Sequence, residues 1–190
     1  MSDSIDSLDD LRRLYPQPSE RAVRKQLSRL DRHCRRFIEL APFLVIASAG
    51  ADGLDASPRG GEPGFVRVVD DVTLHIPDAA GNNRLDTLEN LVTDGRIGLL
   101  FLIPGVDETL RVNGTARLTI AAPRVRIEVT VAEAYLQCAK SLMRSRLWSD
   151  ESRRERSVLP TLGEMLKDQT GMEGRVESQE EMVARYKRDL

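Results

Sequence analysis

The sequence predicts a mainly β, α+β fold: an antiparallel barrel of six to seven strands, with N-terminal helices, one short central helix and a helical C-terminal extension. Three observations predict it. Apolar and polar residues alternate strictly from Thr109 to Ile120, with the period of a half-buried strand. Other short apolar runs are separated by turn signals at Asp52-Gly53, Asp70-Asp71, Pro104-Gly105 and Ala121-Ala122-Pro123. One helical pattern, Leu85, Leu88, Leu91 and Val92, interrupts the strands, which favours hairpins over a parallel sheet.

Taken in order, Ser7 to Leu14 reads as a short helix ended by Tyr15-Pro16-Gln17-Pro18. Ser19 then caps a longer helix in which Val23, Leu27, Leu30, Cys34, Phe37 and Ile38 form one apolar stripe. Its other faces are basic. Strands follow at Phe43 to Ser48, Leu54 to Arg59, Phe65 to Val69 and Val72 to Pro77. Pro77 removes a ladder donor, so pairing should end there. After the central helix come strands at Arg96 to Ile103, at 109–120, and a return strand carrying Val125, Ile127, Val129 and Val131. Gly114, on the apolar face of its strand, predicts a bend or a close approach by another group. Ala139 to Trp148 reads as a helix, Asp150 to Ser157 as a charged connector, and Leu159 to Leu190 as a polar tail with two possible helices. The chain thus divides into an N-terminal helical segment (1–41), a barrel (42–148) and an extension (149–190), expected to form one structural domain.

Composition narrows the function. The 190 residues are 41% hydrophobic, enough for a real core. The 28 basic and 30 acidic residues leave a net charge of −2, so no overall field attracts nucleic acid or an anionic membrane. The longest apolar run is broken by Pro104-Gly105, too early to span a bilayer. The acidic, polar N-terminus is unlike a secretory leader, and Cys34 and Cys138 do not make a disulfide framework; a cytoplasmic protein is expected. With only His33 and His75, and no paired-cysteine spacing, no metal site is predicted.

The chemistry concentrates in the stretch from Leu74 to Leu91. A strand runs out, the chain turns at Gly81, and a helix begins, with Asn83 as its expected N-cap and Asp86 placed for a capping box. Asn82, Asn83 and Arg84 surround a helix N-terminus, whose free N–H groups and partial positive charge suit a phosphate. Arg84 adds a planar fork that can take two oxygens at once. The same residues also suit an ordinary capped helix with a solvated arginine. Two further segments set donors beside glycine: Ser57-Pro58-Arg59-Gly60-Gly61 and Thr109-Leu110-Arg111-Val112-Asn113-Gly114.

Four motifs occur in sequence: Phe-Ile-Glu-Leu-Ala-Pro-Phe, Asp-Ala-Ser-Pro-Arg-Gly-Gly, Ile-Pro-Asp-Ala-Ala-Gly-Asn-Asn-Arg-Leu-Asp-Thr-Leu-Glu-Asn-Leu and Glu-Thr-Leu-Arg-Val-Asn-Gly. From about Phe37 to Trp148 the chain resembles the flavin-binding split-barrel proteins of the pyridoxamine 5′-phosphate oxidase superfamily. It is most similar to a bacterial branch named for FMN dependence. The resemblance implies an FMN-binding split β-barrel and flavin-dependent oxidoreductase chemistry on a small molecule. It assigns Ser57, Arg59, Asn82, Asn83 and Arg84 to the phosphate and ribityl chain, and Thr109 and Arg111 to the neighbourhood of the ring. It also implies a homodimer with FMN at the subunit interface. Lys140 and Trp148 are weaker candidates for the same site. Gly60-Gly61-Glu62-Pro63 stands where the vitamin-synthesising oxidases carry a lysine and an apolar run, so the resemblance extends to the flavin site and not to that substrate. A deazaflavin or haem on the same barrel, or a flavin module without turnover, are the other readings. No catalytic acid, base or nucleophile is named by the sequence. Cys138 beside Lys140 reads either as a thiol activated by a neighbouring cation or as an ordinary buried cysteine.

Overall fold

The computed structural model describes residues 4–51 and 53–188; Asp52, half of the expected Asp52-Gly53 hairpin signal, and residues 1–3 and 189–190 lie outside them. At the N-terminus, α1 (Leu8–Leu14) is capped by Ser7, whose hydroxyl accepts from Asp10 N, and α2 (Glu20–Arg24) is capped in the same way by Ser19. The long helix expected from Ser19 does not form. It is replaced by α2, a linking stretch, and α3 (Arg32–Leu40). Asp31 starts α3 by accepting from Cys34 N at 2.8 Å. In the link, Leu27 exchanges two backbone hydrogen bonds with Ala134, at 2.9 and 2.8 Å, and Leu30 N donates to Asp71 O at 2.7 Å. Leu30, Cys34, Phe37 and Ile38 of the apolar stripe are buried, whereas Leu27 is half-buried and Val23 is exposed, and Ala134 and Asp71 replace the helical partners that the backbone of Leu27 and Leu30 would have had.

Strands β1 (Phe43–Gly50), β2 (Gly53–Gly60), β3 (Arg67–Val68), β4 (Thr73–Pro77), β5 (Arg96–Leu102), β6 (Thr109–Ala121) and β7 (Arg124–Gln137) form one seven-stranded sheet in the order β2-β1-β5-β6-β7-β4-β3. Every pairing is antiparallel. Among the described residues the edges β2 and β3 do not pair, so the sheet curls without closing. That is the split form of the predicted barrel. Only Arg67 and Val68 of the expected Phe65–Val69 strand pair, and β4 ends at Pro77 as its missing donor requires.

The core fills the concave side. Leu44, Ile46, Leu99, Phe101, Leu110, Val112, Leu74, Ile76, Ile127 and Val129 meet Cys34, Phe37 and Ile38 from α3 and Leu30 from the link before it. Helix α4 (Asp86–Thr93) adds Leu88 and Leu91. Fully burying each large aliphatic side chain contributes about 1.5–3 kcal/mol. Asn90 docks α4 on the sheet, donating to Ser48 Oγ at 3.0 Å. Gly50 permits this approach, since a Cβ there would lie 2.0 Å from Asn90 Oδ1.

Gly114 marks the bend its sequence context predicts. The register of β6 against β7 shifts between Asn113 and Gly114, and a Cβ at Gly114 would lie 2.0 Å from Thr130 O. Beyond β7, α5 covers only Lys140–Ser145 of the expected Ala139–Trp148 helix, because Arg146 turns left-handed at φ 50°. Two single-turn 3-10 segments lead into α6 (Leu162–Thr170) and α7 (Gln179–Tyr186), each opened by a complete capping box.

Candidate functional site

The chain reaches α4 through an exposed turn with two left-handed residues, Asn83 and Leu85, both at φ 60°. Asn82 Oδ1 accepts from Arg84 N at 3.1 Å, the side-chain bond that favours such a turn. Asn tolerates this conformation, whereas Leu85 holds it at a cost of about 1–2 kcal/mol. The expected N-cap is therefore corrected. Asn83 does not cap α4; Leu85 stands at that position and offers no side-chain acceptor. Asp86 makes no capping box and instead pairs with Arg84 Nε at 2.9 Å. The helix begins later because the Asn82 bond diverts the chain first, and its positive end is left without a side-chain cap. Arg84 is 73% exposed. The hydrogen bond and charge of Asp86 hold its guanidinium above the usual arginine value, and the charge of Asp55 adds to this.

Asp55 is where edge strand β2 meets that helix end. Its carboxylate accepts from Ser57 Oγ at 3.0 and 3.2 Å and from Thr87 Oγ1 at 3.0 Å. Thr87, in the first turn of α4, is 1% exposed. Ser57, Arg84 and the Asn82–Asn83 turn are thus gathered around Asp55 and the open end of α4. Arg59 lies on the same face of β2 as Ser57, with its guanidinium turned back to donate to Pro58 O at 2.9 Å.

A second polar cluster lies elsewhere. Arg111 donates to Glu133 Oε1 at 2.7 Å, Asn113 donates to the same oxygen at 2.7 Å, and Gln26 donates to Glu133 Oε2. The Arg111 guanidinium stands 4.3 Å from the centre of the Tyr135 ring, and Lys25 Nζ stands 4.7 Å from it. Such cation–ring contacts contribute about 0.5–1 kcal/mol at exposed positions. Arg111 Nε is buried without a hydrogen-bond partner among the described residues. Thr109 is buried, and its hydroxyl donates to Gln137 Oε1 at 3.2 Å.

Register decides how the two clusters relate. Ser57 pairs with Ile46, Ile46 with Leu99, Leu99 with Val112 and Val112 with Ala134, a row facing the core. Pro58, Val45, Leu100, Arg111 and Tyr135 form the next row, which faces the other way. One chain brings Ser57 and Arg84 together but keeps Arg111 on the opposite side of the sheet. Lys140 is exposed at the start of α5. Trp148 is half-buried and donates its indole N–H to Val106 O at 2.9 Å, closing the chain onto the turn after β5.

Sequence reasoning missed Asp55, Thr87, Glu133, Tyr135, Lys25 and Gln26. Asp55 was visible as the first residue of the Asp-Ala-Ser-Pro-Arg-Gly-Gly motif, two positions from Ser57 on the same strand face. Glu133 and Tyr135 face Asn113 and Arg111 only once the bulge beside Gly114 has set the register. Cys138 is exposed rather than buried. Cys34 is buried, and that burial, with the hydrogen bond and charge of Asp31, pushes its thiol up to about 12. His75 lies 3.5 Å from Glu128. No group of His, Cys, Asp and Glu among the described residues is arranged to hold a metal ion, and no helix among them is long and apolar enough to cross a membrane.

An unclosed antiparallel sheet, with the uncapped start of α4 tied to edge strand β2 through Thr87 and Asp55, defines a split-barrel protein with a candidate anion-binding edge. The family profile described as pyridoxamine 5′-phosphate oxidase matches residues 30–145, and the chain belongs to that family. No curated protein matches it. Among solved structures it is similar to HupZ from Group A Streptococcus (15% identity, 56% of this chain and 93% of that one, TM-score 0.46). It is also similar to a Clostridium acetobutylicum protein related to general stress protein 26 of B. subtilis, of the pyridoxinephosphate oxidase family (10% identity, 55% and 85%, TM-score 0.44). A third is an F420 reductase (12% identity, 54% and 94%, TM-score 0.37).

Proposed function

We propose that this protein is an FMN-binding flavoprotein, a flavin-dependent oxidoreductase acting on a small molecule. The observation that carries the reading is the open N-terminus of α4 beside Arg84, with Ser57 and Thr87 on its flank. The donor set fits a phosphate ester: a planar guanidinium, the hydroxyl of Ser57, and helix N–H groups without a side-chain cap. Arg84 is exposed, and its present partner Asp86 is a neighbour in sequence, so exchanging that contact for phosphate oxygens requires no rearrangement of the core.

Bound FMN would supply a ring that accepts and returns reducing equivalents. Arg84, Asn82, Asn83, Ser57 and Arg59 would hold its phosphate and ribityl chain. Arg111, held by Glu133 and set over the Tyr135 ring, would supply a positive charge to the flavin ring, with Thr109 two residues before it on the same strand. Because Arg111 and Ser57 occupy opposite faces of one sheet, the reading requires two chains, each lending Arg111 to its partner's Arg84 and Ser57. The protein is then a cytoplasmic homodimer in which 42–148 forms the flavin-binding barrel, 1–41 packs on it and 149–190 extends from it. Lys140 and Trp148 stay outside the primary contacts, Trp148 because its N–H is already engaged by Val106.

Titration of the purified protein with FMN tests this. Quenched flavin fluorescence with a raised melting temperature is expected; no change in either would reject the proposal.

A further inference from the structure

Strand β4 covers only part of its side of β7. It pairs with Arg126 to Thr130, and Val131 N donates to Val72 O at 2.8 Å, but among the described residues no strand of the sheet continues beside 132–137 on that side. The chain before Leu30 lies there instead. Leu27 exchanges its two backbone hydrogen bonds with Ala134, and Lys25 Nζ donates to Leu136 O at 3.0 Å. Backbone groups on an open edge need partners, and this short strap supplies them. An open cavity of about 340 Å³, lined by Val23, Gln26, Leu27, Ser28, Ala132 and Glu133, adjoins the strap and β7. Lys25 and Gln26 are exposed, so polar contacts rather than core packing hold them to the sheet.

Those contacts converge on Arg111. Glu133 is the carboxylate bonded to Arg111; its Oε1 accepts from Arg111 and from Asn113, each at 2.7 Å, and its Oε2 accepts from Gln26. Gln26 is thus the donor that fixes the second oxygen, from outside the β6–β7 pair. Tyr135 is the other support, with Arg111 and Lys25 standing 4.3 and 4.7 Å from its ring centre. Lys25 has no carboxylate partner among the described residues, so the cluster sets two cations against one carboxylate. Their repulsion beside the ring favours the guanidinium position nearest Glu133.

We propose that residues 25–27 are a strap that orients the Arg111 guanidinium, with Gln26 acting through Glu133 and Lys25 through Tyr135 as positioning residues, so that the N-terminal segment governs the cation presented on this face of the sheet. The consequence for the flavin ring rests on the FMN reading above; the hold on Arg111 does not.

Arg111 Nε reports that hold directly, because its proton is kept from water by burial and not by an acceptor. In isotope-labelled full-length protein the Arg111 Nε–H signal, identified in NMR spectra by its loss in Arg111→Lys, should exchange slowly with water. Gln26→Ala and Lys25→Met should each speed that exchange by about tenfold or more, the scale of one lost hydrogen bond to a charged group, while the β6–β7 backbone amides exchange as in native protein. Lys25→Arg keeps a cation on the ring and should behave as native. Unchanged Nε–H exchange in either variant, or equal acceleration of the β6–β7 amides, would overturn the proposal. Titrating FMN into the same proteins tests the consequence for the ring: Gln26→Ala and Lys25→Met should weaken binding and shift the flavin absorption band, and Lys25→Arg should do neither. If native protein takes up no FMN, the FMN reading fails and the exchange data alone decide the strap. If variants with accelerated exchange match native protein in FMN affinity and spectrum, control of the ring's cation by the strap is overturned.

Discussion

Ser57 and Arg111 lie on opposite faces of one sheet, in adjacent cross-strand rows. Ser57 shares its row with the buried Ile46, Leu99 and Val112, whereas Arg111 shares the next with Pro58, Val45, Leu100 and Tyr135. Strand pleating makes this unavoidable, because neighbouring positions point to opposite sides. On the FMN reading, a ligand held by both residues draws them from different chains.

The expected outcome is a homodimer with two equivalent sites. Light scattering at micromolar concentration should give twice the 21.3 kDa chain mass, and a mass near 21.3 kDa with FMN bound would exclude it. Mixing Arg84→Ala with Arg111→Ala is sharper. Subunit exchange should leave one hybrid site intact and one doubly defective, restoring part of the FMN binding. Residues drawn from a single chain would restore nothing.

Arg84→Ala should weaken FMN by roughly ten- to a hundred-fold, about 1.5–3 kcal/mol for a charge-assisted contact, with little effect on riboflavin. Parallel calorimetric titrations check it, and equal losses would move Arg84 away from the phosphate.

The fold was largely legible because its signals are local. Alternation over Thr109 to Ile120, Pro77 at a strand end and Gly114 at the bulge each act within a few residues of where they stand. What the sequence hid depends on distant partners. Leu27 keeps helical spacing yet pairs with Ala134, more than a hundred positions away. Asn83 has the chemistry of an N-cap, but the bond between Asn82 and the backbone of Arg84 intervenes. Within the candidate site, Ser57 and Arg84 stand out as donors beside glycine; Asp55, which accepts from Ser57 and Thr87, lies in the same motif but does not stand out, because acceptor-only residues do not announce an anion site.

Gly114→Ala should destabilise the fold by about 1–3 kcal/mol, since its Cβ would meet Thr130 O inside the β6–β7 pairing. Urea unfolding measures this; a loss below about 0.5 kcal/mol would mean that the bulge yields freely.

Cys34 gives a pH dependence. Its thiol is raised from 9.0 to about 12 in the folded state by burial and by Asp31. Below pH 9 both states hold the proton and nothing changes. Between pH 9 and 12 the unfolded thiol ionises first, so the unfolded state binds fewer protons and stability falls with rising pH. Cys34→Ala should start less stable and show a flatter alkaline slope in urea melts from pH 8 to 10.5. Identical slopes would contradict the assignment.

The direct test of the whole account is FMN affinity in native protein set against Arg84→Ala, read by flavin fluorescence at equilibrium. Saturable binding by the native chain, weakened about tenfold or more by the substitution, is the predicted result. Absence of saturable binding, or affinity unchanged by the loss of Arg84, would contradict it.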